Sequence, residues 1–167
     1  VTPPHQVCVA DLSYVVLGEG AAYLAVVMAL LTRKVLGVAL GPRLSQGLAL
    51  AALEMALREG CPEVHHSDRG VQYTSRAYVE RLLGLGVRLS YAGTGRPWEN
   101  GHAERLIRTI KEEWVALREY RTLAEARASV KAFVLEVYDR KRPHSALGYL
   151  TPEAFSESLW KGGGSPD

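Results

Sequence analysis

The stretch Glu63–Ser75, EVHHSDRGVQYTS, decides how this 167-residue chain folds. Its first four residues have the pattern of a short strand, and Ser75 is a typical N-cap for a helix over Arg76–Gly84. Between them, Ser67-Asp68-Arg69-Gly70 predicts a tight turn. A carboxylate at the end of a strand beside a glycine turn sits on a rigid support, so Asp68 is a candidate metal ligand or general base. The alternative is that Asp68 only forms the turn.

Apolar runs on both sides of this stretch predict the rest of the fold. Three apolar runs precede it and predict an antiparallel meander: Val7–Val16, Tyr23–Leu31 and Arg33–Leu40. The later elements are predicted as helices over 45–58, 77–85, 99–118 and 122–139, a strand over 87–91 and a short terminal turn or helix from 151. We therefore expect an α/β fold with a five-stranded mixed sheet, three antiparallel strands and then two parallel ones, and helices on both faces. Residues 1–160 are expected to form one domain and residues 161–167 a flexible tail.

Composition narrows the class of protein. A hydrophobic content of 47% suits one globular core, and a net charge of +2 neither requires nor excludes a nucleic-acid partner. Cys8 and Cys61 lie far apart without a CxxC pair, which argues against a disulfide framework or a structural zinc site. The longest apolar run, Ala21–Leu31, is too short to cross a membrane. We expect a cytoplasmic protein without a membrane partner.

Asp11 is out of place in the first apolar strand. A buried carboxylate without a partner is costly, so Asp11 is either a hydrogen-bonded structural residue or part of a charged site. A mixed sheet can bring Asp11 beside Asp68, and Glu104 in the first turns of a later helix can join them. Three carboxylates repel one another unless a proton or a divalent cation lies between them. Oxygen ligands favour Mg²⁺ or Mn²⁺, and no Cys or His set supports zinc.

These motifs resemble the DDE group, the insertion-sequence transposases and retroviral integrases whose catalytic core has a ribonuclease H-like fold. Asp11 lies in VADLSYV, Asp68 in HHSDRGVQYTS and Glu104 in GRPWENGHAERLIRTIKEE. Between the last two acids lie 104 − 68 − 1 = 35 residues, the spacing that gives the D,D(35)E group its name. The segment Tyr138–Phe155, YDRKRPHSALGYLTPEAF, is similar to the terminal signature of the same family, so the resemblance covers nearly the whole chain.

The resemblance implies a function. It implies cleavage of DNA at transposon ends and transfer of the freed 3′-hydroxyl into target DNA, without a covalent enzyme intermediate. Asp11, Asp68 and Glu104 would be the catalytic residues and would hold two Mg²⁺ or Mn²⁺ ions. Implied partners are transposon-end and target DNA and further copies of the chain, in a homodimer or higher oligomer. The location would be the bacterial cytoplasm, in association with the nucleoid.

Several basic and polar residues are candidate DNA contacts. Arg108 and Lys111 follow Glu104 by four and seven residues and should share its helix face. Asn100, the only asparagine, begins that helix. Arg140 and Arg142 belong to a basic cluster after the last long helix. For all five, an ordinary structural or solvent-exposed role is the alternative.

Two other functions stay open from the sequence. One is a ribonuclease H-type nuclease that hydrolyses but does not join strands. The other is an inactive or truncated DNA-binding module, against which the intact set of three acids argues. His65 is interpreted as a buried core histidine, with contact to a scissile phosphate as the alternative.

Overall fold

Five strands form a single mixed sheet. The computed structural model describes residues 6–17, 20–93, 100–138 and 150–162. The strands are β1 Val7–Leu17, β2 Gly20–Ala29, β3 Val35–Gly41, β4 Val64–Ser67 and β5 Arg88–Tyr91. Their order across the sheet is β3-β2-β1-β4-β5. β2 pairs antiparallel with both β1 and β3, whereas β4 pairs parallel with β1 and β5 pairs parallel with β4. The predicted mixed sheet is confirmed.

The helices begin where the polar caps predict. They are α1 Gln46–Leu57, α2 Val71–Thr74, α3 Arg76–Leu83, α4 Gly101–Thr109, α5 Leu123–Ala132 and α6 Pro152–Gly162. The hydroxyls of Ser45, Ser75 and Thr122 accept hydrogen bonds from first-turn backbone N–H groups of α1, α3 and α5. A π-helical turn, Ile110–Trp114, and a 3₁₀ turn, Val115–Leu117, extend α4, and a π-helical turn, Phe133–Tyr138, extends α5.

The helices cover both faces of the sheet, and the alternation of β1 decides which residues face which helices. Val9 and Val15 pack in the core with α4 and α5, whereas Cys8 and Ala10 pack in the core with α1 and α3. Successive side chains of a strand point to opposite faces. Asp11, two residues after Val9, therefore lies on the side of the sheet that α4 covers.

Two local features differ from the sequence prediction. β2 runs over Gly20–Ala29 instead of Tyr23–Leu31, because a turn starts at Leu30: Arg33 N donates to Ala29 O (2.9 Å) and Ala29 N donates to Lys34 O (2.8 Å). The apolar run continues into this turn, so a prediction from hydrophobicity alone put both ends of the strand too close to the C-terminus. The short helix α2 was not predicted.

The C-terminal helix α6 extends past the predicted domain limit at residue 160. α6 confirms the predicted terminal helix and continues through Gly162, while residues 163–167 of the predicted tail lie outside the described residues. The domain limit at residue 160 stays a prediction. Among the helices that the structure describes, none is both long and apolar enough to cross a membrane.

Candidate active site

Asp11 and Asp68 come from neighbouring parallel strands. Asp11 lies in the middle of β1, opposite Val26 of β2, and just beyond the last residues that β1 pairs with β4, Val9 and His66. Asp68 directly follows the last residue of β4. The parallel register thus brings both carboxylates to the same end of β4, as the sequence predicts.

A tight turn holds Asp68. The backbone N–H of Gly70 donates to Asp68 Oδ1 at 2.7 Å, and the side chain is otherwise exposed. A Cβ on residue 70 would lie 2.8 Å from that oxygen, so a side chain there would displace the Asp68 carboxylate from this contact. Asp68 therefore forms the turn and also presents a carboxylate to solvent, and the two interpretations of the sequence are compatible.

Asn100 ties the start of α4 to β1. Its Nδ2 donates to the carbonyl oxygen of Ala10, the residue immediately before Asp11, at 3.3 Å. The side chain is only 4% exposed, and its Oδ1 has no hydrogen-bond partner in the part of the chain that the structure describes. Together with the apolar packing of α4 on β1, this contact holds the elements that carry Asp11 and Glu104 against each other. A DNA contact by Asn100 stays a prediction.

A cleft of about 300 Å³ separates β1 from the exposed face of α4. It is lined by Asp11, Ser13, Glu104, Ile107, Arg108, Lys111 and Glu112. Lys111 Nζ donates to Ser13 Oγ at 2.6 Å, so the ammonium is fixed on the same strand face as Asp11. Arg108 is exposed at the edge. The shared face of Glu104, Arg108 and Lys111 is confirmed.

The three acids act on one another electrostatically. The pKa of Asp11 is raised to about 7, chiefly by burial and also by the negative charges of Asp68 and Glu104, while a backbone hydrogen bond from Leu12 and the ammonium of Lys111 act to lower it. A raised pKa means that the charged form of Asp11 is costly where it stands. A proton or a cation at this position would relieve that cost.

The donor chemistry of these acids suits a hard divalent cation. They offer only carboxylate oxygens, the ligands that Mg²⁺ and Mn²⁺ prefer. Across residues 6–17, 20–93, 100–138 and 150–162, however, no three His, Cys, Asp or Glu side chains are gathered tightly enough to enclose an ion. The carboxylates thus lie within electrostatic reach of each other without forming a closed cage.

His65 lies behind this site in the core. It is 2% exposed, and its Nε2 lies 2.7 Å from the hydroxyl of Tyr78. Burial lowers the pKa of His65 to about 4, so the ring is neutral at ordinary pH. The interpretation of His65 as a core histidine is confirmed.

The sequence matches a known family over most of its length. It matches models of the integrase core domain over residues 2–97 and over residues 85–152. The chain belongs to the integrase core family. This integrase core spans only 54–63% of the length of the curated relatives described below.

Those relatives are insertion-sequence proteins of bacteria. The integrase core is 36% identical over 93% of its length to an insertion element IS600 protein of Shigella sonnei, covering 58% of that protein. It is 31% identical, over 93%, to the transposase for IS904 of Lactococcus lactis, covering 63%. It is 36% identical, over 91%, to the transposase InsF for IS3A of Escherichia coli, covering 54%.

Solved structures of retroviral integrase cores share the fold. The catalytic core domain of HTLV-2 integrase in complex with magnesium, in its trimeric form, superposes with a TM-score of 0.72 at 14% identity, over 92% of this chain and 97% of the other. That of BIV integrase superposes with a TM-score of 0.70 at 18% identity, over 95% and 98%. The predicted ribonuclease H-like fold is confirmed.

Asp11, Glu104, Arg108 and Lys111 line one cleft, and Asp68, which does not line it, acts electrostatically on Asp11. Arg140 and Arg142 lie outside the described residues. Sequence reasoning missed Ser13, although its position two residues after Asp11 in a strand is a signal for the same face. It also missed the contact of Arg33 Nη2 with His102 Nε2 at 3.2 Å, which joins two elements that no sequence pattern relates.

Proposed function

We propose that this integrase core is the catalytic part of a transposase that cleaves DNA at transposon ends and joins the freed 3′-hydroxyl to target DNA. One observation carries the proposal: Asp11, whose pKa is raised by burial and by Asp68 and Glu104, shares a cleft with the cations of Arg108 and Lys111. Phosphoryl transfer requires carboxylates that bind metal cations and, beside them, cationic side chains that bind phosphate. The bacterial relatives named as transposases support the choice of substrate.

The three acids would hold the metal cofactor, Mg²⁺ or Mn²⁺, as two ions per site. When bound, such a pair of ions activates the attacking oxygen and stabilises the leaving oxygen of an in-line displacement at phosphorus. Asp11 supplies a carboxylate that is destabilised in its charged form, so it accepts a counter-charge readily. The solvent-facing carboxylates of Asp68 and Glu104 complete the set.

Lys111 and Arg108 would bind the phosphates on either side of the reacting bond. Lys111 is half-buried and fixed by Ser13, so its ammonium is held in the cleft at little further entropic cost. Arg108 is exposed and offers a planar fork of donors to phosphate oxygens. We include Asn100, Arg140 and Arg142 as further DNA contacts, and two copies of the chain or more on the paired ends. The site of action would be the nucleoid in the bacterial cytoplasm.

No covalent intermediate with the protein is proposed. Ser13 lines the cleft with the acids, and its hydroxyl oxygen accepts a hydrogen bond from the Lys111 ammonium, which has no lone pair to take the hydroxyl proton. Ser13→Ala should therefore keep cleavage within about tenfold of the wild type, whereas loss of a serine nucleophile would reduce it by on the order of 10⁶-fold.

A cleavage and joining assay tests the proposal. Duplex DNA labelled at a 3′-end is incubated with the chain and Mg²⁺ or Mn²⁺, and both nicked and joined products are separated on a denaturing gel. Asp68→Asn and Glu104→Gln should each abolish both products without changing the far-ultraviolet circular dichroism spectrum. The matched control is Glu119→Gln, which removes an exposed carboxylate away from the cleft.

Each outcome selects a function. Nicking without joining would favour a ribonuclease H-type nuclease. DNA binding without metal-dependent nicking would favour an inactive or truncated DNA-binding module. Full activity in either amide variant would remove that acid from the mechanism.

A further inference from the structure

A second group of basic side chains lies at the start of α4, away from the acids. We call Arg33, His102 and Arg105 the Arg33 cluster. Arg33 comes from the turn between β2 and β3, and its Nη2 donates to Nε2 of His102 at 3.2 Å. His102 must therefore accept at Nε2 and is neutral, with its proton on Nδ1. Arg105 follows His102 by three residues and shares that side of the helix.

The Arg33 cluster faces away from the acid-lined cleft but is continuous with it. His102 precedes Glu104 by two residues, so the two side chains lie on nearly opposite sides of α4. Arg105 and Arg108 follow His102 at successive steps of three and wind round the helix toward the cleft, which Arg108 lines. A basic path thus leads from the cleft to Arg33.

The positive charge of the Arg33 cluster is not balanced within the described chain. Arg33 is half-buried and lies within electrostatic reach of Tyr138, yet its side chain donates to a neutral imidazole, and no described carboxylate pairs with Arg33 or Arg105. The nearby acid Glu59 pairs with Lys34 instead, at 3.9 Å. Half-buried guanidinium groups normally have an anionic partner, because desolvating an unpaired charge is costly.

The backbone of Arg33 is also unusual. Its φ of 63° lies in the left-handed region, and within the described residues it is the single non-glycine residue with a positive φ. A β2–β3 turn with glycine at this position would avoid the strain. The conformation instead directs a long cationic side chain onto α4, which is the kind of local cost found at binding sites.

We propose that the Arg33 cluster binds a phosphate of the DNA backbone, one that lies outside the cleft on the same DNA that the cleft holds. The two guanidinium groups would donate to its oxygens, and His102 would orient Arg33. The positive end of α4 adds to the attraction. The continuous path through Arg108 favours DNA over a separate anion. This inference rests on the proposed function.

Salt-dependent DNA binding tests it. Binding of a fluorescently labelled duplex to the chain is measured by anisotropy over a series of KCl concentrations. Arg33→Gln/Arg105→Gln should weaken binding about three- to tenfold at moderate salt and reduce the slope of log affinity against log salt by about 0.9, the value for one phosphate. Arg105→Gln alone, at an exposed position, should give part of that change without altering the melting temperature.

Arg43→Gln is the matched control for Arg105→Gln. It removes one guanidinium charge at an exposed position beyond the far end of β3 and should leave the slope at the wild-type value. A double variant with the wild-type slope overturns the proposal, and a lower melting temperature with that slope would assign Arg33 to holding the turn against α4. Binding of inorganic phosphate that the double variant loses, with an unchanged DNA slope, would assign the cluster to free anions and overturn it too.

The same series separates this inference from the proposed function. A wild-type chain that binds and nicks DNA, together with an unchanged slope in the double variant, defeats only the phosphate site. A wild-type chain that does not bind DNA defeats both.

Discussion

Replacing Asp11 by asparagine should stabilise the metal-free chain above neutral pH. The pKa of Asp11 rises from 3.8 to about 7, chiefly through burial. At about 1.4 kcal/mol per pKa unit, the charged form costs the folded state at most about 4 kcal/mol. Asp11 keeps some solvent contact, and screening reduces this figure, so we expect about 2 kcal/mol. For a chain of this size that corresponds to a melting temperature higher by about 4–8 °C.

The sign of the effect depends on pH. An acid with a raised pKa in the fold keeps its proton while the unfolded chain has lost it, so its contribution to stability is present below about pH 4 and is lost as pH rises to about 7. His65 acts in the opposite sense: its lowered pKa removes stability as pH falls from 6.5 to about 4. The two effects oppose each other in the wild type. The quantity to measure is therefore the difference between variant and wild type, because His65 is common to both.

Urea unfolding in the presence of a chelator gives that difference. The advantage of Asp11→Asn in free energy of unfolding should be near zero at about pH 4 and reach its full value at about pH 8. Glu119→Gln, at an exposed position, is the control and should show no such dependence. An advantage that does not change between these pH values, or an asparagine variant less stable than the wild type at pH 8, would refute the assignment of Asp11 as a strained carboxylate.

Three further predictions concern the same region. Mg²⁺ or Mn²⁺ should stabilise the wild type by about 2.7 kcal/mol at a hundredfold excess over the dissociation constant, and so raise its melting temperature in differential scanning fluorimetry. Asp11→Asn should show a smaller rise; equal rises would place the ion elsewhere. Lys111→Ala should reduce the salt slope of DNA binding by about one unit with little change in melting temperature, whereas Lys131→Ala on the exposed side of α5 should not; an unchanged slope would return Lys111 to a structural role with Ser13. Tyr78→Phe should reduce the free energy of unfolding by about 1–3 kcal/mol and so lower the urea midpoint, because it leaves the buried Nε2 of His65 without its hydroxyl partner. An unaltered midpoint would mean that this bond contributes nothing.

The sequence predicted the elements that carry the acids because local signals mark them. Asp11 interrupts a β-branched run, Asp68 ends a strand at a glycine turn, and Ser75 caps the following helix. These signals act over a few residues, so a pattern reveals them. The parallel pairing of β1 with β4 then follows from the alternation of elements.

Features that depend on distant residues escaped prediction. The helix after Glu104 widens into a π-helical turn at Ile110–Trp114, where Trp114 stacks on Phe133 with ring centroids 4.7 Å apart and donates to Ser129 at 2.9 Å. Those partners lie on another helical segment, and no spacing within the first predicts them. The contacts of Arg33 with His102 and of Asn100 with Ala10 were missed for the same reason: each joins residues at least 69 positions apart.

The amide of Asn100 is a site where chemical change can make unfolding irreversible. An asparagine followed by glycine is prone to attack by the next backbone nitrogen, which expels ammonia and leaves aspartate or isoaspartate. In the folded chain the amide is buried and its nitrogen is engaged by the carbonyl of Ala10, so the ring that this attack forms is hindered. Unfolding releases it. The aspartate product has no donor for Ala10 and adds a negative charge next to Asp11, so a molecule altered while unfolded does not regain the native junction of α4 with β1 on refolding.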